Sequence, residues 1–422
     1  MEKIINNTIK ETVYKKVLPS GTTIIFIPKE NTNKKYIICG IKFGANDRRF
    51  INKEGKEIVL PDGVAHYLEH KMFEQENGIN SLDALSSLGV DANAYTTNDH
   101  TAYLFECTKN FDKALKELLD YVQHPFFTDE NVEKEKGIIS QEIQMYDDEP
   151  EWKLYLNTMK AMYHNNPVKI DVAGTVQSIK RINKEVLYET YNNFYLPENM
   201  TIVVCGNFEK DYIFDLIEKN LIQKSKMKAK RIYDDEPNTI CKKEIIENKD
   251  VSIPLFSFGY KLDEKSINAK RIIETEILLE IIIGTSSKLF EKLYENGILY
   301  EEVSSHIEFA KNNYSHILIQ GKSNRIEELE VLLKNEIERF KENGINKEDF
   351  ERAKRKLYGL YVREFDDVQD VSNLFLSNYI KDIDAFEYID SFSKISLEEI
   401  NNTLLEFFDE DKKVKAIIKK GE

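Results

Sequence analysis

The sequence predicts an α+β protein of two homologous domains, each a mainly antiparallel sheet covered by helices on one face. Three observations carry that expectation. The chain has 422 residues, about twice the ~200 that one core comfortably organises. Short β-branched, partly alternating segments are interleaved with longer segments of 3.6-residue apolar periodicity. The same order of elements also occurs twice.

In the first half, the strand-like TAYLFEC (Thr101 to Cys107) leads to an amphipathic FDKALKELLDYV and then to NVEKEKGIISQEIQMYDD. In the second, SHILIQG (Ser315 to Gly321) leads to IEELEVLLKNEIERF and DFERAKRKLYGLYVREFDD. ENGI at Glu76 to Ile79 returns at Glu295 to Ile298, and MYDD ending at Asp148 faces EFDD ending at Asp367 at the same offset. INKEVLYETYNNFY mirrors ISLEEINNTLLEFF, with Asn183 and Ser396 as the expected N-caps. Each of these helices precedes a strand, MTIVVCG or KVKAIIK. The polar stretch QKSKMKAKRIYDDEPNTICKK separates the halves, giving predicted domains at 1–225 and 241–422 with a linker at 226–240.

Composition narrows the function. A net charge of -15 repels a phosphate backbone, and the basic run KSKMKAKR is short enough to be a solvated linker, so no nucleic-acid partner is expected. Cys39, Cys107, Cys205 and Cys241 show no C-x-x-C spacing, which predicts neither a disulfide framework nor a cysteine metal site. The N-terminus lacks an apolar signal-like run, and the most apolar helical stretch, ILLEIIIG, contains Glu280. No membrane association and a cytoplasmic location are expected.

The chemistry concentrates in GVAHYLEHKMFEQ. His66, Glu69 and His70 form H-x-x-E-H, the inverse of the commoner zinc motif. On a helix, positions i, i+3 and i+4 share one face, so two imidazoles can reach one Zn²⁺ while the carboxylate stays beside them to take a proton. A solvated helix face is the alternative. The apolar flanks Val64, Ala65, Tyr67, Leu68, Met72 and Phe73 argue against it, because burying three ionisable groups without a partner is costly. A third ligand is required, and EKEKGIISQEI offers Glu133, Glu135 and Glu142. Spacing alone does not choose between them.

Together with GVDANAYTTNDHTAY, the E-x6-E helix, PVKIDVAGTVQSIKRI and YLPENMTIVVCGNF, the motif resembles the insulinase or pitrilysin family of zinc peptidases. The likeness is to short bacterial two-domain members related to mitochondrial processing peptidase. The resemblance implies one zinc ion held by His66, His70 and Glu142, with Glu69 as general base and Glu135 as a carboxylate orienting a ligand or the water. Residues 1–225 would then be the catalytic domain. The implied reaction is hydrolysis of peptides or unfolded segments by a zinc-activated water.

The resemblance further implies that Asn93 and Ala94 lie on a strand that pairs with an extended substrate. In the second half, the positions facing the motif are Thr285, Lys288 and Leu289, so no ligand set is expected there, and that half would close the substrate chamber. Family members carry an Arg and a Tyr in a segment that here reads LFEKLYENGILY, with Tyr294 at the Arg position and only Tyr300 able to match. A homodimer, or a heterodimer with a homologous chain carrying the Arg/Tyr pair, is therefore expected. The alternative function is a non-catalytic scaffold or partner subunit of a heterodimeric peptidase. His100, His124, His164, His306 and His316 are expected in turn or surface roles.

Overall fold

The structure is a computed structural model describing residues 1–222, 229–263, 267–310 and 313–421. Most of the basic run KSKMKAKR, and part of the expected linker, lie outside the described residues. The chain forms two compact units. One comprises Met1–Ile143, Asp171–Tyr233 and Arg363–Asp382, and the other Gln144–Ile170, Asp234–Val362 and Ile383–Glu422. Neither is a continuous half of the sequence. Against a division into 1–225 and 241–422, one segment of each half has changed sides.

The first unit contains β1 (Glu2–Asn6), β2 (Glu11–Val17), β3 (Thr23–Pro28), β4 (Lys35–Ile41), β5 (Arg49–Ile51), β6 (Glu57–Val59), β7 (Asp91–Thr96), β8 (Thr101–Cys107), β9 (Met200–Gly206) and β10 (Lys230–Arg231). Its main sheet has the order β1-β2-β3-β9-β4-β8-β7, and β10-β5-β6 form a small second sheet. Pairing is antiparallel throughout the main sheet except between β3 and β9. The second unit contains β11 (Glu244–Lys249), β12 (Leu255–Lys261), β13 (Ser304–Ala310), β14 (Tyr314–Lys322) and β15 (Lys413–Lys420), in the order β11-β15-β12-β14-β13. Here too one pair, β11 with β15, is parallel. Strand for strand, this order reproduces β3-β9-β4-β8-β7, so the duplication is present in the topology as well as in the sequence.

The helices form where periodicity places them. Phe111–Gln123 buries Phe111, Ala114, Leu115, Leu118, Leu119 and Val122, the i, i+3, i+4 stripe of a helix lying on a sheet. Asn183 and Ser396 cap their helices as expected, accepting from Val186 N and Glu399 N.

A second helix layer lies beyond the one-face expectation. β9 and β12 are buried at every residue, the pattern of a strand covered on both sides. In the first unit the additional cover is the helix Val368–Ile380. Tyr379 meets Thr23 Oγ1 at 2.8 Å, and a Cβ on Gly40 would lie 2.5 Å from Leu376 Cδ1. In the second unit it is the helix Pro150–Met162, where a Cβ on Gly259 would lie 2.6 Å from Met162 Cε. The exchanged segments are thus the helices that close each sheet's second face.

Candidate functional site

The motif occupies the helix Val64–Lys71. The helix begins at Gly63, whose φ of +88° and whose Cβ position, 2.3 Å from Ala173 O, leave room only for glycine. Ser178 Oγ donates to Asp62 O at 2.8 Å from a short helix closed by a Thr175–Ser178 capping box. The segment DVAGTVQS therefore clamps the start of the motif helix. Val64, Ala65, Tyr67 and Leu68 face the core, and the Tyr67 hydroxyl donates to Val132 O on the helix Asp129–Asp148. That contact brings Glu135 and Glu142, two turns apart, alongside the histidines.

His66 Nε2 lies 3.6 Å from Glu142 Oε1, and His70 Nε2 lies 3.4 Å from Glu142 Oε2. These separations exceed an ordinary hydrogen bond but match the ~3.3 Å edge of a tetrahedron with ligands about 2.0–2.1 Å from its centre. One donor atom from each of the three residues lies within 4.8 Å of the others, the one such group among the described residues. Two imidazoles and a carboxylate are a zinc donor set that leaves a fourth position open. The residues fit the ion.

Glu135 is not a member of that group. Its Oε1 pairs with His70 Nδ1 at 3.1 Å, the nitrogen away from Glu142, and so fixes the ring's orientation. Lys71, fully buried, reaches the other Glu135 oxygen at 3.4 Å and Glu74 at 2.9 Å. Burial resists charge on His70, but hydrogen bonding to Glu135 and Glu142 outweighs it and pushes the pKa up to about 9. Contacts with His66, then His70, hold Glu142 well below the usual carboxylate range. Burial would raise Glu135, yet its bond to His70 and the Lys71 charge lower it. A metal cation held by these residues would take the place of the proton on His70. Glu69, only 7% exposed, points one oxygen at Thr96, whose hydroxyl donates to Oε2 at 2.5 Å.

Asn93 and Ala94 lie on β7, the edge of the main sheet, opposite Leu104 and Tyr103 of β8. Asn93 is exposed and Ala94 half-buried. Tyr300 belongs to the second unit and is exposed, as is Tyr294. Where a ligand set was not expected in that unit, Lys356 Nζ pairs with both Glu280 oxygens at 2.8 Å and with Thr285 Oγ1 at 3.0 Å. Two histidines depart from their expected roles: His306 is half-buried within β13, and the second departs further. His316 is fully buried on β14, bonded to Tyr163 OH at 2.9 Å and Glu308 at 2.8 Å, a core histidine whose two nitrogens are both satisfied. Lys71 and Thr96 are the contacts that motif spacing missed. For Lys71 the signal was available: a lysine in an apolar helix turn needs an anionic partner.

Comparison with known proteins agrees with this geometry. The family described as Insulinase (Peptidase family M16) matches residues 59–176, and the Peptidase M16 inactive domain matches residues 181–357. The uncharacterized zinc protease YmfH of Bacillus subtilis (strain 168) is 34% identical over 406 residues, spanning 94% of this chain and 94% of that relative. The chain belongs to the insulinase family. Among solved structures, a putative M16-like peptidase from Alicyclobacillus acidocaldarius superposes with a TM-score of 0.92 at 31% identity, covering 97% of this chain and 99% of the other. A protease from Helicobacter pylori shares the insulinase fold at a TM-score of 0.84 and 20% identity, covering 96% of this chain and 99% of its own. The zinc in the relatives' names agrees with the His-His-Glu group. Among the described residues, no helix of this insulinase-family chain is long and apolar enough to cross a membrane.

Proposed function

We propose that this chain is a zinc metalloendopeptidase acting on peptides or unfolded segments. One observation carries the reading: donor atoms of His66, His70 and Glu142 converge within 4.8 Å, with the buried Glu69 carboxylate on the same helix. Bound there, zinc supplies polarisation of a peptide carbonyl and acidification of a water molecule. Glu69 takes the proton from the attacking water and returns it to the leaving nitrogen. Glu135 orients His70, and Lys71 keeps Glu135 ionised. An extended peptide pairs with the open side of β7 at Asn93 and Ala94, so main-chain hydrogen bonds hold it with little regard to sequence. Tyr300 contributes to substrate binding. With Tyr294 where relatives carry Arg, the working form pairs two chains, either identical or with a homologue supplying the Arg/Tyr pair.

Zinc analysis with cleavage of a quenched peptide tests this. The expected result is one zinc per chain, cleavage by the wild type, and a drop of about 10²–10⁴-fold in Glu69→Gln with zinc retained. His66→Ala and His70→Ala should lose metal and activity together. A wild type that binds zinc but cleaves nothing, alone or with an Arg/Tyr-bearing homologue, would leave the scaffold reading instead.

A further inference from the structure

The Glu69 side chain makes one hydrogen bond among the described residues, and its partner is Thr96. Thr96 is the last residue of β7, the edge strand. It stands opposite Thr101, whose own hydroxyl is committed to Phe43 O at 3.0 Å. The following turn is pinned in several ways. Thr97 N donates to His100 O at 2.8 Å, while Ala45 N and Asn46 N donate to Thr97 O and Asn98 O at 3.0 Å each. Gly44 lets that turn approach, since a Cβ there would lie 2.5 Å from the Asn98 carbonyl carbon. The backbone on both sides of Thr96 is therefore held, and its hydroxyl also lies 3.4 Å from that of Thr101.

We propose that Thr96 is a positioning residue for the general base, holding one oxygen of Glu69 so that the other faces the reacting water. The inference rests on the peptidase reading. A threonine hydroxyl has one proton to donate. Given to Oε2, it fixes the carboxylate's rotation and leaves Oε1 as the site that accepts a proton. The water's proton goes to Oε1, Thr96 keeps its own, and Oε2 remains an acceptor before and after the transfer. A rotating carboxylate would lose alignment, and small misplacements of a reacting group cost up to about 10²-fold in rate. Because Thr96 ends the strand that would receive the peptide, substrate and base are set by one segment of backbone.

The test compares zinc-loaded wild type, Thr96→Val and Thr96→Ser. Valine keeps the shape and removes the donor; serine keeps the donor. Thr96→Val should retain full zinc and a KM within about threefold, while kcat falls about 10–100-fold. Thr96→Ser should restore kcat to within about threefold of wild type. In urea unfolding of the metal-free protein, the loss caused by Thr96→Val should be at least about threefold smaller in equilibrium constant when Glu69→Ala is already present. Thr96→Val turning over at the wild-type rate, Thr96→Ser as slow as Thr96→Val, or additive unfolding losses would each overturn the proposal. A wild type with no activity would remove the peptidase reading and this proposal with it. An active wild type beside an equally fast Thr96→Val removes the proposal alone.

Discussion

Glu135 decides how firmly His70 is held, because its carboxylate meets the ring nitrogen turned away from Glu142. Glu135→Gln keeps the volume but gives His70 a weaker acceptor. Zinc affinity should fall about 10–100-fold, read by competition with a chromogenic chelator. A second carboxyl answers to pH. Burial pushes Glu276 up to about 7, while a 2.8 Å bond from Tyr361 OH pulls the other way. Its folded pKa thus lies above the usual 4.5, so between those values the folded chain holds more protons than the unfolded one and stability falls as pH rises. Glu276→Gln should remove that decline and stabilise the protein above pH ~7 by about 1–3 kcal/mol, measured by urea unfolding at pH ~5 and ~8. At this scale the sequence was informative where chemistry imposes a spacing. The histidines and Glu69 stood out because a metal needs them on one helix face. Spacing left the third ligand position open between Glu133, Glu135 and Glu142, and the resemblance implied Glu142; the helix orientation groups Glu142 with the histidines, while Glu133 is a surface residue paired with Lys136. Thr96 meets Glu69 across the fold, a contact for which no sequence interval exists, whereas Lys71 was legible only as a cation in an apolar turn that needs an anionic partner.

Elements were readable from periodicity and caps, and their recurrence from the repeat. The second helix layer was not. MTIVVCG, apolar but for Thr201, is compatible with a strand covered on both faces, yet nothing local says which helix provides the cover. Val368–Ile380 and Pro150–Met162 read like any other amphipathic helices, and each crosses to the sheet of the other half. The glycines facing them mark the approach. Gly259 lies against Met162, Thr158 and Val414, where a branched side chain must displace packed atoms. Gly259→Val should lower stability by about 1–3 kcal/mol with zinc binding intact, since the site lies in the other unit. Thermal unfolding beside zinc analysis separates those two effects.

The exchange makes the halves mutually dependent as folding units. Thr23 on β3 meets Tyr379, and side chains alternate along a strand, so Ile25 and Ile27 share the face covered by Val368–Ile380. Tyr36 bonds to Asn373, and Ile38 follows on the same face of β4. All of these aliphatic side chains are at most 3% exposed. Fully burying such a residue contributes roughly 1.5–3 kcal/mol, and a domain's whole margin is about 5–15 kcal/mol. A fragment of residues 1–222 loses this cover, and its Leu154, Met159 and Met162 lose the sheet they bury against. Such a fragment contains His66, Glu69, His70, Glu135 and Glu142, so a domain boundary drawn at the linker predicts a folded zinc protein. The exchanged helices predict the opposite: an aggregating species that binds hydrophobic dyes and melts without a cooperative transition. Co-expression with residues 229–421 should restore a soluble complex that binds zinc. A 1–222 fragment that unfolds cooperatively and holds zinc by itself would show that the exchanged helices are dispensable.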